Sequence, residues 1–345
     1  MVQKSLDRAL KEIYENLLVL SPEMISFSGK SFSINEVSNA SEIQAQVPPI
    51  NPLIILLQNT LYQHAYIKSF KGMLEESVYG YSQALIKDFV VQLSTANTSI
   101  EYWDDGWQIV EVGRTGEIVA QKGPTTRQIL PGEYLSLDGI GSMPRIGGFI
   151  RLYFPRESTT FQPGFYFAFG ELPEKRFQSQ SVARYYFNLL PDGAALFVKI
   201  MTQKLNYFQI PYRLKCLSHP EIFAQRLDSG VVFVNRRLHH IMSEIIFDVY
   251  QELRPFLQPE TPLFTYEITP GLAFAEDPAN GESFGISRCR VVAEGIWQAY
   301  MEGKHSVDAR AIAVKERFDA YNLSFGKPYL NPQSPYDYCF PRFEE

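Results

Sequence analysis

From Trp107 onward the apolar residues stop recurring at helical spacing and begin to alternate, and this change of period constrains the fold more than any other feature. Trp107 to Val112 and Glu117 to Gln121 flank Gly113-Arg114-Thr115-Gly116, the pattern of a hairpin closed by a short glycine-bearing loop. Gly148 to Phe154, Gly164 to Phe169, Val182 to Leu189, Tyr212 to Leu217 and Gly230 to Asn235 read as further strands. Each is rich in aromatic or β-branched residues or is bounded by turn residues. Most of the connections are too short for long helices, which favours antiparallel neighbours.

Two stretches among the strands are predicted helical. Asp192 to Phe208 opens on an aspartate cap behind Pro191, and Arg236 to Leu253 is amphipathic and stops before Pro255. Helices dominate again from Glu282, and Pro332 to Glu345, rich in proline and aromatic residues, reads as a docked tail.

The first quarter reads as helical. Leu6, Ala9, Leu10, Ile13, Leu17 and Leu18 share one helical face, and a mostly polar stretch runs from Ser26 to Gln46. Pro48, Pro49 and Pro52 then punctuate the entry to a helix from Asn51 to about Phe70, and Tyr81 to Leu93 follows Gly80. The expectation is an α+β chain: a helical N-terminal region over 1-95, then 96-345 as a mostly antiparallel sheet packed with helices.

Thirty-two basic against thirty-eight acidic residues leave a net charge of -6, which argues against a nucleic-acid partner bound through a dense basic surface. Cys216, Cys289 and Cys339 are odd in number and widely spaced, so neither a disulfide framework nor a zinc site is expected, and a reducing cytoplasm is the default. The charged residues within Met1 to Leu20 rule against a signal peptide there, and the tightest apolar run, Leu53 to Leu57, is too short to span a membrane. No metal and no cofactor is expected: the phosphate loop, HExxH, paired CxxC and Gly-x-Ser-x-Gly signatures are all missing.

Cations stand inside otherwise apolar strands: Arg151, Arg184, Arg213 and Lys215. Alternation puts Arg213 and Lys215 on one face, and likewise Arg184, Tyr186 and Asn188. On a solvated face these side chains need no further explanation. On a covered face they call for an anion, because a buried cation is costly unless paired, and phosphate suits arginine geometrically.

Thr269 to Pro278 and Asn280 to Arg290 read as a glycine-bearing loop laid across a site before a helix begins. Glu276, Asp277 and Glu282 are placed to position or neutralise the basic residues, and Arg288 and Arg290 to reach back toward an anion. Glu282 equally suits a helix start. The five histidines, His64, His219, His239, His240 and His305, fall outside these strands and this loop, and His239 and His240, on the long helix, read as surface or packing residues.

PLFTYEITPGLAFAEDPANGESFGISRCRVVAEG, Pro262 to Gly295, resembles the Hop A family of type III effectors from plant-pathogenic pseudomonads. Weaker agreement runs through QPGFYFAFGE, ARYYFNLLPDGAA, PYRLKCL and KPYLNP, about half of the chain. That family is similar in turn to the lyase components of class V lanthipeptide and thioamitide biosynthesis. These act after a kinase and eliminate phosphate from phosphoserine or phosphothreonine of a precursor peptide.

The resemblance implies a general base, phosphate-binding cations and an acid for the leaving group. It implies Lys215 as the base and Arg184, Arg213 and Arg288 as phosphate ligands; the strand pattern and the loop add Arg151, Asn188 and Glu282 as further candidates. A histidine acid would stand just before the arginine of the motif, where this chain has Ser287. Tyr186 or Tyr266 is then the candidate proton donor, unless bound phosphate leaves unaided or catalysis has been lost. The implied partners are a phosphorylated precursor peptide and a Ser/Thr kinase, with no membrane involved. A non-catalytic, effector-like protein that binds a phosphorylated or acidic peptide is the alternative.

Overall fold

The computed structural model describes residues 2–36, 50–74, 82–139, 143–172, 182–278 and 280–343. Pro48, Pro49, Gly80, Tyr81 and the last two residues of the tail lie outside them. The chain opens with α1 (Val2–Asn16), which buries Leu6, Leu10, Ile13 and Tyr14 at helical spacing. A three-stranded antiparallel sheet follows at once: β1 (Leu17–Ser21), β2 (Met24–Phe27) and β3 (Lys30–Ser33). This small sheet lies where the sequence reads as helical and polar. Ile25 and Phe27 are fully buried with Ser26 between them, and Ser28-Gly29, both at positive φ, close the tight turn to Lys30.

Asn51 caps α2 (Pro52–Leu61) by accepting from Leu53 N, with proline at the first turn. The helix then widens into a π turn over Tyr62–Tyr66. Ser82 caps α3 (Gln83–Ala96). The expected hairpin at Gly113 to Gly116 is present as β4 (Tyr102–Val112) and β5 (Ile118–Lys122). With β6 (Thr125–Ile129), β7 (Tyr134–Ser136) and β8 (Phe149–Phe154) they form a five-stranded sheet of order β6-β5-β4-β8-β7. It has a small core of its own around Trp107, Ile109 and Ile150.

The central sheet has seven strands in the order β14-β15-β11-β13-β12-β10-β9, every neighbouring pair antiparallel. They are β9 (Glu157–Ser158), β10 (Phe165–Phe169), β11 (Val182–Phe187), β12 (Tyr212–Leu217), β13 (Gly230–Asn235), β14 (Tyr266–Thr269) and β15 (Leu272–Glu276). Four of these strands match the sequence expectation to within two residues at each end. The segment from Thr269 does not: it is no loop, but the turn of a hairpin and a strand paired along β11. Gly271, at φ +77°, makes that turn possible, since a Cβ there would stand 2.5 Å from the carbonyl oxygen of Gln258.

Both faces of this sheet are covered. Tyr185, Phe187, Leu214 and Val232 pack toward α4 (Ala194–Tyr207) and α5 (His239–Leu253). Val182, Tyr186, Val231 and Ala273 share the other core with α1, α2, α6 (Phe284–Met301) and α7 (Val307–Ala320). The first quarter of the chain and its last helices thus bury one another. All six residues of β11 are buried, the pattern of a strand inside a three-layer arrangement. The class is α+β, with antiparallel sheets packed against helices.

The tail docks as expected. Tyr338 lies against Phe274 and His239, and Phe343 against Tyr250. Its polar anchor is Glu276, fully buried at the end of β15, which accepts from Asn331 N, Ser334 Oγ, Tyr338 Oη and Arg236 Nη1 at 2.6 to 3.2 Å. Removing a buried carboxylate so surrounded leaves a cation and three donors without partners. We expect Glu276→Ala to lower unfolding free energy in urea by about 3 kcal/mol and to open residues 332–343 to protease, whereas Tyr338→Phe costs only about 1 kcal/mol.

Candidate functional site

The antiparallel register decides which side chains meet. Arg184 stands opposite Phe233, and Phe233 opposite Arg213; one step along, Tyr186 stands opposite Val231, and Val231 opposite Lys215. Residues directly opposite share a face, so Arg184, Tyr186, Arg213 and Lys215 project from the same side of three adjacent strands. This is the face toward α2 and α6. The cations are therefore not the solvated residues of a one-sided sheet: Arg184 is 9% and Lys215 7% exposed.

Aromatic rings separate the charges. The Phe233 ring lies 5.0 Å from the Arg184 guanidinium and 5.4 Å from that of Arg213. The Phe165 ring of β10 lies 4.1 Å from Lys215 Nζ and 5.3 Å from the guanidinium of Arg226. Cations over ring faces gain electrostatically from the ring quadrupole, which partly offsets the loss of water.

Buried carboxylates hold two of these cations. Asp277, just past β15, holds Arg184 at 2.6 Å. Asp228 takes Arg226 in a two-pronged pair at 2.9 and 3.0 Å. Burial alone would raise the Asp228 carboxyl, but Arg226 and Lys215 hold it below the usual range. Burial likewise works against the charge of Arg184, and Tyr186 and Asp277 override it. Lys215 is different: its amine makes no hydrogen bond and no ion pair among the described residues. Burial brings its pKa down to about 8, Asp228 pulls it back up, and Arg184 and Arg226 press it lower.

A phenol pair borders the lysine. Tyr66, at the end of the π turn, donates its hydroxyl to Tyr186 Oη at 3.3 Å, and the Tyr62 ring stacks on Tyr66 at 5.3 Å. The wide turn puts Tyr62 and Tyr66 one above the other. Gly285 in α6 leaves room for the Tyr66 ring, since a Cβ there would lie 2.3 Å from it. Because Tyr186 accepts from Tyr66, its own proton is free to point elsewhere. Burial raises the Tyr186 pKa, and Arg184 and the Tyr66 hydrogen bond act against that rise.

The structure thus brings together Lys215, Tyr186, Arg184 and Arg213, and separates the other candidates from them. Tyr266 pairs with Phe274 on the opposite face, where it packs 5.1 Å from Tyr329 and 5.4 Å from Phe340. It borders a separate groove of about 1260 Å³ between α1 and residues 260–267. Arg151 belongs to the five-stranded sheet and pairs with Asp105 at 2.6 Å. Asn188 lies beyond the end of β11, where its side chain donates to the carbonyl oxygen of Glu260 and its backbone to that of Gly271. Glu282 pairs with Arg290 at 2.8 Å, and the helix cap after it is Ser283.

Arg288 lies behind the site. Only 2% exposed, it donates to the carbonyl oxygens of Pro328 and Leu330 at 2.7 and 3.0 Å and to Ser287 Oγ at 3.3 Å. Burial lowers its pKa to about 10, against the pull of Glu276 and Tyr186. Its hydrogen bonds tie the 328–331 backbone to α6.

Sequence reasoning missed Arg226, Asp228, Tyr62 and Tyr66. The first two sit in a turn with no periodicity, and the tyrosines look like the apolar face of a helix. Among the described residues no three His, Cys, Asp or Glu side chains group as metal ligands.

Comparison with known proteins adds the relationship. A search of curated proteins finds no match. The chain is similar in fold to the effector protein of Pseudomonas syringae pv. tomato strain DC3000, with 14% identity, 96% of this chain and 99% of that one covered, and a TM-score of 0.50. The effector protein of Pseudomonas syringae pv. syringae strain 61 gives 11% identity, 80% and 89% coverage and a TM-score of 0.42. The profile of the HopA1 effector protein family matches residues 156–330, half of the chain and every strand that builds the cation face. On that match the chain belongs to the HopA1 effector protein family.

Proposed function

We propose that the chain is a carbon-oxygen lyase that eliminates phosphate from phosphoserine or phosphothreonine in a peptide, leaving a dehydroamino acid. The observation that carries this reading is Lys215: a buried lysine whose amine has no hydrogen-bond partner among the described residues and whose pKa burial brings down to about 8. An amine so placed is partly unprotonated near pH 8 and can serve as a base.

In the reaction, Lys215 Nζ takes the α proton. The Cα–H electrons form the Cα=Cβ double bond, the Cβ–O bond breaks, and phosphate leaves with its electron pair. Arg213 and Arg184 neutralise the charge that builds on the phosphate oxygens. Tyr186 supplies a proton to the departing oxygen, since its hydroxyl accepts from Tyr66 and keeps its own hydrogen available. The substrate in this reading is a ribosomally made precursor peptide phosphorylated beforehand by a Ser/Thr kinase.

One observation favours a second reading, in which the chain binds a phosphorylated or acidic peptide without turning it over. Ser287 accepts from Arg288, and nothing at that position replaces a histidine acid. Tight phosphopeptide binding by the wild type with no loss of phosphate would favour it.

The primary test is mass spectrometry of a phosphoserine and phosphothreonine peptide library. The wild type is expected to remove one phosphoric acid equivalent per modified residue. Lys215→Ala should lower the rate by about 10³-fold and Tyr186→Phe by about 10²-fold. Phosphate loss that survives in Lys215→Ala contradicts the assignment.

The pH profile carries a sign. The active form of Lys215 is the neutral one, so kcat/KM should climb roughly tenfold per pH unit below about 8 and level off above it.

Stability should rise with pH as well, but over a higher range. The folded pKa of Lys215 lies below its unfolded value, so its cost is full below about 8 and fades as pH rises toward the ordinary lysine value of 10.5. Lys215→Met is therefore expected to raise stability at neutral pH by up to about 3 kcal/mol while abolishing turnover. The gain should vanish in alkaline urea titrations.

A further inference from the structure

A second group of basic side chains lies on the far side of the π turn, and no carboxylate among the described residues neutralises it. His64 and Lys68 are one helical turn apart on the segment that continues α2, and Lys30 opens β3 above them. Lys68 is 8% exposed, and its Nζ is shielded from solvent without a hydrogen-bond partner. His64 Nδ1 is shielded and unpartnered in the same way.

Aromatic rings wall the group. The His64 ring lies 6.2 Å from that of Phe27 and 5.8 Å from that of Phe32, and Lys30 Nζ stands 5.5 Å over Phe32. Lys30 is exposed and His64 half-buried, so the group opens to solvent on that side. The backbone around it is fixed: Ile67 N donates to Tyr62 O across the wide turn, and Ile67 O accepts from Leu227 N.

An ammonium is donor-only, and burying it with no acceptor is unfavourable unless something outside the described protein groups supplies one. A neighbouring imidazole nitrogen in the same condition, with a second cation, Lys30, at the opening, makes the missing partner a hydrogen-bond acceptor that carries negative charge. The pKa of His64, pushed down to about 4 by burial and then by Lys68 and Lys30, places both lysines within electrostatic reach of the ring.

We propose that Lys68, His64 and Lys30 form a binding site for a small oxyanion, a phosphate or carboxylate group, between the β2–β3 hairpin and the turn that follows α2. Lys68 Nζ supplies the buried charge, His64 a ring N–H, and Lys30 the attraction at the opening. The site is separate from the Lys215 face and does not rest on the lyase reading.

The test reads His64 itself. In protein labelled with ¹⁵N-histidine, inorganic phosphate and acetate are titrated separately at constant pH and ionic strength. The His64 ring resonances are expected to move saturably with at least one of the two. Movement with phosphate alone assigns the site to phosphoryl groups, and with acetate alone to carboxylates. Lys68→Met, or Lys68→Gln if the first does not fold, should weaken that saturation by about tenfold or more. Arg213→Gln, on β12 of the central sheet, should leave it unchanged. His64 resonances that ignore both anions, or that respond equally in the Lys68 variant, overturn the proposal.

Discussion

Covering the central sheet on both faces forces cations of β11 and β12 into the interior, and much of the rest of the molecule answers that constraint. Basic side chains meet across strands that are themselves apolar, with Asp277 on Arg184 and Asp228 on Arg226. Water cannot screen these charges, so rings must separate the cations and carboxylates must reach in from neighbouring segments. Phe233 and Phe165 do the first; Asp277 and Asp228 do the second. Burial brings the Lys215 pKa down to about 8.

The supporting shell comes from distant parts of the chain. Arg288 binds the 328–331 backbone, and Glu276 binds residues 331–338, so the carboxylate next in sequence, Asp277, is held from both sides. On the opposite flank the π turn delivers Tyr66 to Tyr186, and Gly285 makes space for its ring. Disturbing Tyr66 or Gly285 acts on the site through position, because neither adds a charge to the face.

The strands that carry the site were legible because period-two alternation in Tyr212 to Leu217 and Val182 to Leu189 survives the presence of Arg and Lys. Their shared face was half legible. Alternation pairs Arg213 with Lys215, but only the register across β13 joins them to Arg184 and Tyr186. Whether that face meets water was not legible, since it depends on α2, α6 and α7, which lie far off in sequence. The hairpin at Thr269 to Glu276 looked like a loop because Pro270 and Gly271 mask a short strand of small residues. Arg288 looked like a ligand because a buried arginine bound to backbone carbonyls forty residues away leaves no trace in its own neighbourhood. Asp277 was read as a neutraliser and is one; Asp228, in an aperiodic turn, gave no sign.

The central claim is that burial, with Arg184 and Arg226 adding to it, brings the Lys215 amine pKa well below the ordinary lysine value. Its most direct test is an NMR titration of the Lys215 side chain, with ¹³C at the carbon bearing the amine, in the folded protein. The account predicts a midpoint near 8, well below the ordinary lysine value. A midpoint at the ordinary lysine value of 10.5 would contradict it, because an ammonium that titrates as it does in water is neither desolvated nor pressed by its neighbours.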